Sequence, residues 1–272
     1  MPVDFTLFSW TTWSGHPSVL IGLLLLEILY LVVVWPRIRQ CLGRVATFTA
    51  GVVSLFLALH SPLHELSDHY LFSAHMVQHL ILQLIAVPLM LLGTPPWAVR
   101  PIVQHNITRN ILHAVTSPVT AFLIFNGILI LWHMPLLYNA ALHNHNLHIL
   151  QHLMFIGSAV LIWWPIFISL DESTRLAYPW QILYLFLLSL LPAIVGAFIT
   201  FSGSVLYTFY ADAPRLWGIS PLYDQQLGGL IMKVAGSLVF WLVLIIVFFK
   251  WFNREEAQSQ HAQANKQLGG HS

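Results

Sequence analysis

The sequence predicts an all-α integral membrane protein: a seven-transmembrane-helix bundle with its N-terminus outside and its C-terminus in the cytoplasm. Three observations carry this. Hydrophobic residues make up 57% of the chain and charged residues only 8%, whereas a soluble domain carries roughly 25% charged residues. The apolar residues fall into seven continuous runs, not alternating strands, which excludes a closed β-barrel. The basic residues gather in alternate loops, as they do on the cytoplasmic side of a membrane.

The runs cover residues 18–35, 45–60, 73–92, 117–133, 148–167, 180–201 and 227–252. An untilted span needs about 20 apolar residues, with a range near 17–25. The second run is short, and Asn126-Gly127 interrupts the fourth. Pro88, Pro165 and Pro192 sit inside or near the ends of spans, where neighbouring helices can satisfy the freed carbonyls. Trp163, Trp164 and Trp180 could form an interfacial belt, but core packing is the simpler reading. Gly228 and Gly229 suit close helix packing.

The loop after the first run holds Arg37, Arg39 and Arg44. The loop after the third holds Arg100 and Arg109, the loop after the fifth Arg175, and the C-terminal end Lys250, Arg254 and Lys266. The opposite loops hold only Arg215, which sets the orientation. Residues 1–252 therefore read as the transmembrane domain, and 253–272, polar and Gln-rich, as a disordered cytoplasmic tail. The first ten residues lack the basic flank of a signal peptide. A net charge of +1 gives no reason to expect nucleic acid. The single cysteine, Cys41, excludes an internal disulfide and a cysteine-only metal site.

Histidine is what sets this chain apart, with 15 residues against 11 lysines and arginines together. Eleven fall at the outer ends of the runs: His16, His60, His64, His69, His75, His79, His133, His143, His145, His148 and His152. His105, His113, His261 and His271 fall inside, the last two incidental to the tail. His75-Met-Val-Gln-His79-Leu80 is echoed by His148-Ile-Leu-Gln-His152-Leu153, and each copy opens a run. Positions i and i+4 share a helix face, so each copy aims two imidazoles one way. His133 closes the fourth run at similar depth, His60 closes the second, and His64 follows one turn later. Polar side chains at membrane depth usually face the bundle interior. Clustered neutral imidazoles suit copper, zinc, iron or haem, and nearby Met76, Met134 and Met154 would favour Cu(I). Met76 points about 100° away from His75 on an ideal helix, which suits packing better. Asp224, before the seventh run, could orient an imidazole. Glu27 and Lys233 lie at comparable depth in the first and seventh runs and suggest a buried ion pair. His64-Glu-Leu-Ser-Asp-His69 has one residue too many for a zinc-protease helix. No phosphate loop or nucleophile elbow is present.

HMVQH leading to LLGTP, then WHMP with LLYNAAL, LHILQHL with WWP, and DQQLGGLIM, resemble the CtaG family of cytochrome c oxidase assembly factors. The likeness runs from about residue 61 to 247. It implies a multi-pass protein of the bacterial cytoplasmic membrane that aids maturation of a haem–copper oxidase, copper delivery being the usual proposal. The family's polar positions map onto His75, His79, His133, His148, His152 and Asp224; His60, His64, His143 and His145 are less regular. The expected function is thus an oxidase assembly factor without turnover of its own. It would bind copper at an outward histidine cluster and aid metallation. The expected partners are oxidase subunits and the lipid bilayer, with a homo-oligomer also compatible. Alternatives are a haem- or metal-dependent membrane oxidoreductase, with bis-histidine haem between the third and fifth helices, a transporter, and a metal-free scaffold for an oxidase subunit. A desaturase fits worse, because its histidine boxes lie on the cytoplasmic side. The inner half of the bundle carries few polar residues beyond Gln83 and Glu27, which disfavours a through-path.

Overall fold

A computed structural model describes residues 8–11, 13, 17–168 and 176–269, and every regular element among them is helical. His16, Arg175, His271 and the first seven residues, which entered the reading above, lie outside the described residues. The helices are α1 (Pro17–Val34), α2 (Leu42–His60), α3 (Pro62–His69), α4 (Phe72–Leu80), α5 (Val87–Gly93), α6 (Pro96–Gln104), α7 (Asn106–Thr116), α8 (Pro118–His133), α9 (Pro135–His143), α10 (His145–Phe167), α11 (Tyr178–Thr200), α12 (Thr208–Asp212) and α13 (Pro221–Gly269). A 3₁₀ segment, Trp35–Gln40, extends α1, and a π-helical turn, Ile81–Ala86, joins α4 to α5. Six segments are long and apolar enough to cross a membrane: Pro17–Gln40, Leu42–His60, Phe72–Gly93, His145–Phe167, Tyr178–Thr200 and Pro221–His261. The pair α7 and α8, bent by 64°, would be a seventh if it forms one broken span and not a re-entrant loop.

Prolines punctuate the chain. Ser61, Ser117 and Met134 each precede a proline and are extended, with ψ of 173°, 140° and 129°. The proline ring disfavours the helical region for the residue before it and suits the first helical turn after it. Ser61 and Ser117 also cap the helices that follow, their hydroxyls accepting from Leu63 and Thr120 N–H. These breaks create α3, α8 and α9; those at Ser61 and Met134 lie at the histidine end of the bundle, and that at Ser117 at the opposite end.

The π turn has a local cause. Val87 N–H donates to Leu82 O, five residues back. In that register Pro88 would have to donate to Gln83 O, and it has no N–H. The Trp163 indole fills the place, donating to Gln83 O at 2.9 Å from a fully buried position. Of the three tryptophans read above as core, Trp163 is core, whereas Trp180 is exposed.

Glycines set the closest crossings. A Cβ on Gly196 would lie 2.7 Å from Gly229 O, and one on Gly229 would lie 2.6 Å from Thr200 Oγ1, so α11 and α13 touch backbone to backbone. Gly93 meets α2 in the same way, 2.7 Å from Arg44 O. There Arg44 donates to Leu92 O and Thr94 O, and Tyr30 to Gly93 O, satisfying the last carbonyls of α5. Leu24, Leu25, Ile28, Leu29 and Val32 leave α1 apolar toward its surroundings, as a peripheral helix in lipid would be.

Several expectations need correction. Asn126-Gly127 does not interrupt α8, because Asn126 Nδ2 donates to Phe122 O one turn back, within the helix itself. Glu27 and Lys233 do not pair. Glu27 Oε1 accepts from Thr49 on α2, while Lys233 Nζ sits 5.5 Å over the Phe201 ring. Equal depth does not make helices neighbours: α1 packs on α2, and α13 packs on α11 and α4. Separately, α13 runs on past residue 252 to Gly269. Its Glu, Gln, Ala and Lys are strong helix formers, and Glu256 accepts from Gln260 at i,i+4.

Candidate metal centre

The centre begins with how α4 starts. Leu71 is extended and supplies no side-chain cap. Asp224 does so from α13: its carboxylate accepts from Phe72 N–H at 2.7 Å, Ser73 N–H at 3.1 Å and the Ser73 hydroxyl. A carboxylate there satisfies donors that have no partner within the helix and complements the positive end of the helix dipole. Asp224 is 2% exposed. The expectation that it orients an imidazole is therefore corrected, since it fixes the helix that carries two of them. On α10 the cap is local, Asn144 Oδ1 accepting from Asn146 and Leu147 N–H.

The two helices then present their histidines face to face. His75 and His79 stack with ring centroids 4.3 Å apart, and His148 and His152 lie 4.3 Å apart on the other wall. Across the gap, His75 lies 5.5 Å from His148 and 6.2 Å from His152, and His79 lies 5.1 Å from His152. One ring nitrogen from each of His75, His148 and His152 falls within 4.8 Å of the others. All four rings are buried. Among the described residues, both ring nitrogens of His75, both of His79 and Nε2 of His152 are buried without a hydrogen bond of full geometry, an interaction of His75 with the Ser67 backbone apart. An unsatisfied buried polar atom costs roughly 1–3 kcal/mol, which marks these nitrogens as candidate ligand atoms. Neutral imidazoles converging at this spacing suit a borderline or soft metal ion.

A second layer, unread in the sequence, holds the first. Asp68 on α3 bridges two histidines, with Oδ1 3.4 Å from His64 Nδ1 and Oδ2 3.4 Å from His148 Nδ1. A carboxylate on Nδ1 leaves Nε2 available and makes it more basic, the usual support of a metal-binding histidine. Burial raises the Asp68 carboxyl to about 7, against the opposing hydrogen bond from Ser67. Gln78 Nε2 donates to Ala58 O and lies 2.9 Å from His64 Nδ1, and Gln78 Oε1 accepts from Ser67. The spacing His64-x-x-x-Asp68 was visible in the sequence. It was tested there only as a protease helix, and nothing local connects Asp68 to His148. A cavity of about 50 Å³ lined by His64, Asp68, His145, His148 and His152 opens beside this layer.

The other candidates separate. His133 does not join the three. Its Nδ1–H donates to Leu129 O at 2.7 Å, and the ring shares a different cavity with His79. His64 sits in the second layer. His60 packs 5.2 Å from Phe56 and is not among the residues whose nitrogens converge. Met134 is 52% exposed at the start of α9, which corrects its expected place beside the cluster. Met76 is buried in the core, as its helical phase predicts. His143 is exposed, its Nδ1–H donating to Asn139 O. Tyr138 was not singled out in the sequence, yet its ring lies 5.4 Å from His75.

Residues 28–254, most of the chain, match the model of the cytochrome c oxidase caa3 assembly factor family (Caa3_CtaG), and the chain belongs to that family. An uncharacterized protein of Mycobacterium bovis is 25% identical over 252 residues, 85% of this chain and 37% of its own length. An uncharacterized protein of Mycobacterium leprae is 26% identical over 238 residues, 81% of this chain and 35% of its own. The chain thus spans little more than a third of the length of the curated relatives it matches. No solved structure matches the chain.

Proposed function

We propose that this member of the assembly-factor family binds copper at His75, His148 and His152 and hands it to a subunit of a cytochrome c oxidase, without turnover of its own. The observation that carries the reading is the convergence of three buried imidazoles, with unbonded ring nitrogens on His75 and His152 and a carboxylate behind His148. The donor set fits the cargo. Copper ions take imidazole well, and an all-nitrogen site without thiolates releases them to a competing ligand set more readily than a cysteine site would. The chain's own part is to present preoriented neutral rings. Asp224 fixes the helix bearing His75, Asp68 turns His148, and the closed packing around them keeps water away.

The protein sits in the bacterial cytoplasmic membrane with its N-terminus outside, its C-terminus in the cytoplasm and the histidines toward the outer face. The arginines at the opposite helix ends, Arg37, Arg39 and Arg44 among them, support that orientation. Copper is favoured over haem by volume. The cavities at the histidines measure about 30 and 50 Å³, whereas pockets for organic ligands run to roughly 300–1,000 Å³.

The test is metal content and an absorption spectrum of the detergent-purified full chain after exposure to Cu(I), beside the His75→Ala/His152→Ala double variant. A copper ion bound by the wild type and lost from the double variant supports the reading. A Soret band would replace copper with haem. Neither metal nor haem in either protein would leave a metal-free scaffold for its client.

A further inference from the structure

The histidines at this end of the bundle divide into two groups, and His79 stands on the border. One group is His75, His148 and His152. Behind His79, away from the gap between α4 and α10, lies a separate cavity of about 30 Å³ between α4 with its π turn, α8, α11 and α13. Its polar lining consists of His79, Gln83 and His133, joined by the thioether residues Met76 and Met232; the remainder is apolar. It contains no carboxylate.

We infer that this cavity is a second metal position, one that takes a soft monovalent cation, Cu(I), between His79 and His133 with thioether support from Met76 or Met232. Four features point there. His79 is 4% exposed and keeps two ring nitrogens without a hydrogen bond. His133 donates Nδ1–H to Leu129 O, which fixes its tautomer and leaves Nε2 with a lone pair. Imidazole and thioether are the donors that select Cu(I) among first-row ions. The site is neutral and sits among apolar side chains, where a single positive charge costs far less to bury than a double one. The volume suits one ion or one water molecule and excludes a chelated or organic ligand.

The first group has Asp68 behind it, so the two positions differ in charge and in softness. They are adjacent, because the His75 and His79 rings stack at 4.3 Å and His79 also faces His152 at 5.1 Å. A Cu(I) ion can therefore move between them by exchanging imidazoles one at a time, passing from His75 or His152 to His79 with no change of oxidation state. This inference rests on the copper reading of the first site.

The experiment is Cu(I) titration of the full chain in detergent, with copper X-ray absorption on the loaded protein. The wild type, His133→Ala, and Met76→Leu/Met232→Leu are compared. The leucine variant conserves core volume and guards against misfolding. The expected result is two copper ions per wild-type chain, a sulfur scatterer at copper, one ion remaining in His133→Ala, and loss of the sulfur signal in the leucine variant. One ion in all three proteins would overturn the second position and leave the first intact, the cavity then holding a water between His79 and His133. Two ions persisting in His133→Ala, or no sulfur in the wild type, would also overturn it. No copper in the wild type would overturn the first reading as well.

Discussion

Replacing His75 by leucine should make the copper-free protein more stable while removing the part of its copper response that comes from the three-imidazole site. His75 is fully buried, and neither ring nitrogen makes a hydrogen bond of full geometry among the described residues, although the Ser67 backbone interacts with the ring. Each such atom costs roughly 1–3 kcal/mol. Leucine fills a similar volume without polar atoms. Against this gain stands the lost contact with the His79 ring at 4.3 Å, worth about 0.5–1.5 kcal/mol for a stacked pair. With two such atoms, the balance is a stabilisation on the order of 0.5–5 kcal/mol. At about 2–4 °C per kcal/mol for a chain of this size, Tm should rise by several degrees. In the wild type, Cu(I) at a hundredfold excess over Kd should add about 2.7 kcal/mol for each occupied position; in His75→Leu the increment from the three-imidazole site should vanish with its third ligand, while that of the His79–His133 position remains. The assay is thermal unfolding in detergent with and without Cu(I), with circular dichroism confirming equal helix content. A copper-free His75→Leu protein that melts well below wild type would refute the reasoning, because the ring nitrogens would then be earning their place through hydrogen bonds in the resting state.

Other parts of the centre make separate predictions. Asp68→Asn should weaken copper binding by about 10–100-fold, the usual effect of losing the group behind a ligating histidine, with little change in helix content; competition with a calibrated chelator measures it. Asp224→Ala leaves Phe72 and Ser73 N–H buried without their acceptor and should lower stability by roughly 2–4 kcal/mol, read by thermal unfolding. Trp163→Phe orphans Gln83 O at the π turn and should cost about 1–3 kcal/mol, with the Tm reduced and copper stoichiometry unchanged. His143→Ala, at an exposed position, should leave both stability and copper binding as in the wild type.

The paired histidines were legible because i,i+4 spacing is a local property of one helix. His75 with His79, and His148 with His152, needed only the assumption of helix to share a face. The seven apolar runs were legible for a similar reason: lipid demands a continuous apolar surface and internal backbone pairing, and both are written along the chain. The start of α2 at Leu42 and the unbroken α8 differed from expectation only at boundaries, where one side-chain bond such as Asn126 to Phe122 O decides.

What the sequence by itself determined is therefore the helical membrane architecture and the presence of two histidine-bearing faces at one end of it. Tertiary packing alone decided which faces meet. It set α4 against α10, so that His75, His148 and His152 converge while His133 turns to a separate cavity. It brought Asp224 across 151 residues to cap α4, and Asp68 from a short loop helix to His148. It also kept Glu27 and Lys233 apart although their depths agree. The physical reason is one of dimension. Periodicity fixes a residue's height and azimuth on its own helix, but not which helix stands beside it. Neighbours follow from close contacts such as Gly196 against Gly229, which exist only once the bundle has packed.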